Sequence, residues 1–238
     1  MLVNVNCAKC VGIEAVKVTV EVDIQGGIGI HLVGLADTAV KESLLRTVTA
    51  LQALDFHIPG KKIVINLAPA DVHKSGSGYD LPIALGIIAA SGQRNLAGIG
   101  DYLIMGELGL DGSVRNIPGA LPYAQMALER GLKGCILPVQ SAMEASELQE
   151  CNIYGVESIL QAVEILEKPE DSGHYLIWNT PLYGQICRQR PAAETQAEYI
   201  DFADIVGQDG AKRGLEIAAA GAHNIIMFWF LFTDTLFL

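Results

Sequence analysis

The chain has 238 residues, half of them hydrophobic and 18% charged, which excludes a disordered chain and suffices for one large core or two small ones. Sixteen Lys and Arg stand against 27 Asp and Glu, a net charge of −11, so the basic footprint of a protein that binds duplex DNA by itself is missing. No run reaches the roughly 18 apolar residues of a membrane span and no basic stretch with an apolar signal core opens the chain; a cytoplasmic location with no membrane partner is expected.

The five cysteines are odd in number and scattered, unlike a disulfide framework. Cys7 and Cys10 form a C-x-x-C, but Cys135, Cys151 and Cys187 supply no second close pair for a structural zinc. They read as reduced thiols, and no metal site is expected. His31, His57, His73, His174 and His223 lack ligand spacing.

In chain order, Ala15–Asp23 alternates branched apolar with polar residues, as a half-buried strand does. Gly26-Gly27 turns into a second strand, Ile28–Val33, and the two are expected to pair as a hairpin. Asp37 or Thr38 caps a helix to about Leu54, with Val40, Leu44, Val48 and Leu51 on one stripe. Ile63–Leu67 is a short buried strand, followed by a polar loop over Asp71–Tyr79. Asp80 is the expected N-cap of a helix over Leu81–Ser91, with Pro82 in its first turn; apolar residues all round make this a central helix packed on a sheet. Tyr102–Leu110 reads as a strand, Asp111-Gly112 as a tight turn and Val114–Ile117 as the return strand. A helix from about Pro118 to Arg130 stops at Gly131. Strand Cys135–Leu137, helix Ser141–Gln149, strand Asn152–Val156 and helix Ser158–Glu167 complete the unit.

The fold class is therefore α/β, of the α+β type: a mixed sheet with packed helices over residues 1–168. Residues 169–200 lose periodicity and carry Pro181 and Pro191, which suits a linker. A second unit starts at 201, with a helix from about Asp209 to Ala220, a stop at Gly221 and a strand from Asn224. Residues 228–238, FWFLFTDTLFL, form an apolar tail holding four of the six phenylalanines; it is expected to lower solubility.

The most chemically suggestive stretch is Asn66–Ile88, a strand feeding a glycine-bearing loop that opens a buried helix. Such a loop offers free backbone N–H groups and the positive end of a helix dipole to an anion. Lys74, Ser75, Gly76, Ser77 and Gly78 are the candidate residues. Because G-S-G matches no phosphate fingerprint, a plain turn is the favoured reading of the loop alone. Asp37 and Asp80 read as helix caps and Glu107 as structural, leaving no acid/base pair.

Four segments, VGLADTAVKES, KKIVINLAPADVHKSGSGYDLPIALGIIAASG, MGELGLDGSVRNIPGALP and DIVGQDGAKRGLEIAAAGAHNIIM, together resemble the magnesium-chelatase-like AAA+ proteins of the YifB/ComM family. The match runs in order over nearly the whole chain to Met227. The resemblance implies an N-terminal domain like the Lon protease domain, on the fold shared with ribosomal small-subunit protein five. It also implies a C-terminal hexameric ATPase that uses ATP and Mg²⁺ and drives DNA branch migration during DNA uptake, contacting DNA through the full-length ring.

Lon activates a serine nucleophile with a lysine. Laid over Lys74–Asp80, the K-D-G-P-S-A-G loop of Lon places that serine on Gly78; laid over residues 117–121, its I-G-G-L-K run places the lysine on Leu121. Ser77 and Lys74 stand nearby, and a slip of one position brings Ser77 to the nucleophile, but no basic residue lies between Arg115 and Arg130. A non-proteolytic domain with no catalytic residues is expected.

By the same resemblance Ile205, Val206, Gly207 and Gln208 form the segment that lies against adenine, and Asn224–Met227 the first core strand of the ATPase. The family then has a G-x-x-x-x-G-K-[ST] loop, where this chain continues with Phe228. No cofactor and no ATP hydrolysis are expected of this chain, and a truncated or frameshifted ATPase module is the expected origin of the tail. Two rivals stand beside this reading. A small-molecule kinase of the galactokinase–homoserine kinase fold needs a P-x-x-x-G-L-x-S-S-A run, from which Lys74–Asp80 departs. An active Lon-type Ser/Lys peptidase has the wrong residues at Gly78 and Leu121.

Overall fold

Alternating branched residues build the first strands of the computed structural model, which describes residues 2–184, 202 and 205–227. Strands β1 (Val3–Val11) and β2 (Glu14–Gln25) pair antiparallel across Gly12-Ile13, with Val5 opposite Val20 and Cys7 opposite Val18. Val3, Val5 and Cys7 are buried with Val18, Val20 and Val22 on one face, as the period of two requires.

The expected hairpin between β2 and β3 (Gly29–Val33) does not form. Strand β4 (Lys62–Ala68) lies between them, antiparallel to β2 and parallel to β3. Gly27, at φ +124°, passes so close to Lys62 that a Cβ there would stand 3.2 Å from the lysine Cβ. The Gly-Gly segment thus crosses the head of β4 instead of folding back on β2.

Helix α1 (Thr38–Ala53) is capped by Asp37, whose side chain accepts from the Val40 N–H at 2.8 Å. Its fully buried face is Val40, Ser43, Thr47, Ala50 and Leu51, one row round from the expected stripe, with Leu44 and Val48 half-buried. Helix α2 (Asp80–Ala90) is buried at every position, as its uninterrupted apolar composition demands. It lies close on β2, where a Cβ on Gly86 would meet Val22 Cγ2 at 2.6 Å.

Tyr102–Leu110 is not one strand. It divides into β5 (Tyr102–Ile104) and β6 (Glu107–Leu108) because Met105 and Gly106 turn aside: the Gly106 N–H donates to the Gly78 carbonyl at 2.9 Å, and the Gly106 carbonyl accepts from Leu81 at 3.0 Å. Strand β7 (Val114–Arg115) pairs back on β6. Helix α3 (Ala120–Glu129), strand β8 (Gly134–Pro138), helix α4 (Val139–Ala145), strand β9 (Ile153–Val156) and helix α5 (Ile159–Glu167) follow, with Ser158 capping α5.

The seven-stranded sheet has the order β3-β4-β2-β1-β5-β8-β9, with β6-β7 as a separate ribbon. Neighbours from β1 through β9 on that side run parallel. The fold is thus mixed α/β, a mostly parallel sheet with packed helices. Two compact units divide the chain, Met1–Gln189 and Arg190–Leu238. Residues 169–179, expected to open a linker, make two 3-10 turns in the first unit, with Ile177 fully buried. In the second, α6 (Asp209–Ala220) ends at Gly221 as expected. The strand expected from Asn224 is absent over residues 224–227, which find no ladder partner among the described residues. Most of the expected linker and the tail at 228–238 lie outside the described residues. No described helix is long and apolar enough to cross a membrane.

Candidate functional site

A cleft of about 470 Å³ opens between β1, the loop before α2, the start of β6 and the turn into α3; Lys9, Cys10, Ser77, Gly78, Glu107 and Tyr123 are among the residues around it. Each side chain arrives there by a different local route. The positions of Lys9 and Cys10 are set by the register of β1 against β2. Glu107 starts β6, and Ser77 and Gly78 precede α2. Gly119 holds the α3 turn near β1: at φ +84° it has no room for a Cβ, which would stand 2.4 Å from Cys10 Sγ.

Within the cleft, the Ser77 hydroxyl donates to the Glu107 carboxylate, and the Lys9 ammonium donates to the His73 carbonyl. At Gly78, where the resemblance places a nucleophile, a Cβ would meet the Met105 Cε at 2.9 Å. The methyl end of Met105 therefore occupies the space of a side chain. Burial pushes the Tyr79 and Tyr123 phenols well above their ordinary range, and the Cys10 thiol adds to the shift at Tyr123.

Of the five candidate loop residues, Ser75, Gly76, Ser77 and Gly78 line this cleft, and Lys74 does not. Lys74 is fully buried and ties the loop to the approach of α1. Its N–H donates to Leu35 at 3.1 Å, its carbonyl accepts from Asp37 at 3.1 Å, and its ammonium donates to the Pro69 carbonyl. Burial lowers its pKa, with Asp71 opposing and Lys9 adding to the fall. A lysine committed in this way is a structural tether. Leu121 lines a different groove, with Ile13, Met126 and Leu148.

Asp80 is not the cap that its sequence position suggests. Tyr79 holds the cap position and makes no side-chain bond, so Asp80 is the first helical residue; Pro82 has no N–H to offer, and the Ile83 N–H that an Asp80 cap would take donates to the Tyr79 carbonyl at 3.1 Å. The fully buried Asp80 carboxylate instead takes Arg46 Nε at 2.9 Å and Nη2 at 3.3 Å, together with the Leu108 N–H at 3.2 Å. Burial raises the Asp80 pKa while Arg46 and Leu108 pull it down; the carboxylate in turn raises that of Arg46. One ion pair thus joins α1, the first turn of α2 and the β6 strand that carries Glu107.

Cys7 and Cys10 lie three apart on a strand, so their thiols point to opposite faces, one into the core and the other toward the cleft. Burial raises the Cys7 thiol strongly. Among the described residues, no three His, Cys, Asp or Glu side chains cluster for a metal ion. Sequence reasoning missed Lys9 and Glu107 as cleft residues; neither carries a local motif, and only the strand order brings them to the loop.

In the second unit, Ile205 and Val206 are exposed, Val206 at 96%. Gly207 and Gln208 both take left-handed φ before α6, and the Lys212 ammonium donates to the Ile205 carbonyl.

Residues 20–141 match the family model described as subunit ChlI of Mg-chelatase, and residues 201–229 match the model described as magnesium chelatase, subunit ChlI. The chain belongs to the YifB/ComM family of magnesium-chelatase-like proteins. It is 38% identical to competence protein ComM of Haemophilus influenzae over 216 residues, covering 90% of this chain and 41% of that one. Identity to YifB of Salmonella typhimurium is 35% over 230 residues, 95% of this chain and 42% of the relative. YifB of Escherichia coli matches at 35% over 230 residues, covering 94% and 42%. The chain therefore spans about two fifths of the length of these relatives. The first family match takes in the whole Ser77–Glu107 pair, Arg46 and Asp80, and the second takes in Ile205–Gln208.

Proposed function

We propose that residues 1–168 form a Lon-like domain, on the fold of ribosomal small-subunit protein five, that has kept the cleft and lost peptide hydrolysis. The observation that carries this reading is the state of the hydroxyl: Ser77 donates to a carboxylate, Glu107, where a Ser/Lys centre needs an amine to take the proton. Met105 fills the space beside Gly78, and Leu121 belongs to another groove. The domain then serves a magnesium-chelatase-like AAA+ protein as a binding or organising module.

The wider reading follows the family. The Haemophilus relative is named a competence protein; for a full-length member, ATP-driven DNA branch migration by a hexameric ring is the proposed activity, with DNA contacts made by the ring. The residues of this chain do not fit a nucleotide site on their own. Ile205 and Val206 are exposed and 224–227 form no strand. FWFLFTDTLFL supplies no G-x-x-x-x-G-K-[ST] loop for phosphates and Mg²⁺. ATP hydrolysis by this chain alone is not proposed.

The rival with an observation behind it is a Ser/Lys peptidase built from Ser77 and Lys9, which line the same cleft. A fluorophosphonate probe and a fluorogenic peptide library separate the two. The non-proteolytic reading expects neither labelling nor turnover. Labelling at Ser77 that Ser77→Ala abolishes and Lys9→Ala strongly slows would establish the rival.

A further inference from the structure

Cys135 on β8 and Cys151, two residues before β9, are far apart in any motif yet adjacent in space. Their sulfurs stand 4.0 Å apart, and both thiols are free and buried, Cys135 at 0% exposure and Cys151 at 3%. The backbone around them is strapped on both sides. The Cys135 N–H donates to the Asn152 carbonyl at 2.8 Å, and Asn152 Nδ2 donates to the Lys133 carbonyl at 3.1 Å. Gly134, between the two straps, lies so close to Asn152 that a Cβ would meet its carbonyl oxygen at 2.2 Å. The sulfurs are thus held as neighbours by the β8–β9 register, and side-chain rotation alone has to bring them to the bonding distance of about 2.05 Å.

We propose that Cys135 and Cys151 form an oxidisable dithiol site, which a small hydroperoxide converts to an intrachain disulfide joining β8 to the approach of β9. The two thiols are not equivalent. Their mutual hydrogen bond lowers the pKa of Cys151 and raises that of Cys135, so Cys151 is the more acidic of the two thiols, and it also keeps the small exposure of the pair. In the first step Cys151 Sγ attacks one peroxide oxygen. The O–O bond breaks, a sulfenic acid forms on Cys151, and the leaving oxygen takes a proton to become water or an alcohol. Cys135 Sγ then attacks Cys151 Sγ; the S–O bond breaks, and the Cys135 proton leaves with the hydroxyl as water. Two thiols lose two electrons in all, and the peroxide gains them.

The test is a linkage map of the full chain after a brief exposure to hydrogen peroxide, with remaining thiols alkylated and the protein digested at glutamate without reduction. Cleavage after Glu144, Glu147 and Glu150 separates the two cysteines, so peptides 130–144 and 151–157 travel together only if the disulfide has formed. The expected result is that pair as the main linkage in the folded chain, released by reductant and replaced by mixed linkages in urea. In Cys135→Ala, a dimedone adduct is expected on Cys151; in Cys151→Ala, none on Cys135. Recovery of both cysteines alkylated while Cys10 is oxidised, or a main linkage through Cys7 or Cys10, would overturn the proposal, and neither result needs a variant that folds.

Discussion

Asp37 and Asp80 stand at the starts of neighbouring helices, in the local sequences L-A-D-T-A-V and G-Y-D-L-P-I. At α1 the half-buried Asp37 carboxylate accepts from the Val40 N–H, and nothing beyond the helix is needed to explain it. At α2 the counterpart of Val40 is Ile83, whose N–H donates to the Tyr79 carbonyl, Pro82 has no N–H to offer, and the Asp80 side chain is left to reach Arg46 on α1 and Leu108 on β6. The difference teaches that a carboxylate caps a helix only where the N–H two or three residues on is free to donate to it. Where that donor is missing or taken, the same residue becomes a tertiary tie, here one that joins α1, α2 and β6.

The sharpest way to break this contrast is Asp80→Ala. It strands the buried Leu108 N–H and leaves the partly exposed Arg46 guanidinium without its partner, and a loss of about 2 kcal/mol is expected in urea unfolding of the full chain. Asp37→Ala removes one capping bond, with an expected loss of about 1 kcal/mol. Equal losses for the two variants would erase the distinction.

The smallest effect is in pH. Burial holds the Asp80 carboxyl above its unfolded range, so in the window between the ordinary carboxylate range and its folded pKa the native state binds the extra proton. The contribution of Asp80 to stability therefore falls as pH rises through that window and is greatest below it. Asp80→Asn lacks this proton, so its deficit against the natural chain is expected to shrink as pH rises. Unfolding free energies of the two chains across the acid range check the sign; a deficit that grows would show that Arg46 outweighs burial.

Element positions were largely legible because their signals are local. Asp37 caps where it should, Gly131 takes a left-handed φ just past α3, and Ser158 starts α5. Pairing was not. Residues 15–33 read as a hairpin because two strands flank Gly-Gly, and no local signal announces that β4, about thirty residues later in the chain, will insert between them. The cleft shows the same division. Ser75–Gly78 were visible as a glycine-bearing loop, but Lys74 turns inward to Pro69, while Lys9 and Glu107 enter from strands that carry no motif. The C-x-x-C was conspicuous and is split across two faces of β1, whereas Cys135 and Cys151 gave no sign of their proximity.

The central seam of the sheet is the parallel junction of β1 and β5, which pair at Asn6 opposite Leu103, with Asn6 Nδ2 donating to the Gly100 carbonyl at 2.6 Å. On one flank β1 and β2 are joined by a tight turn, and on the other β8 and β9 are linked through a single helix. Each flank can nucleate from contacts close in sequence, whereas the seam must first close nearly half of the chain into a loop, at an entropic cost that grows with its length. During refolding the flanks should therefore gain amide protection first, and the zip between them should come last.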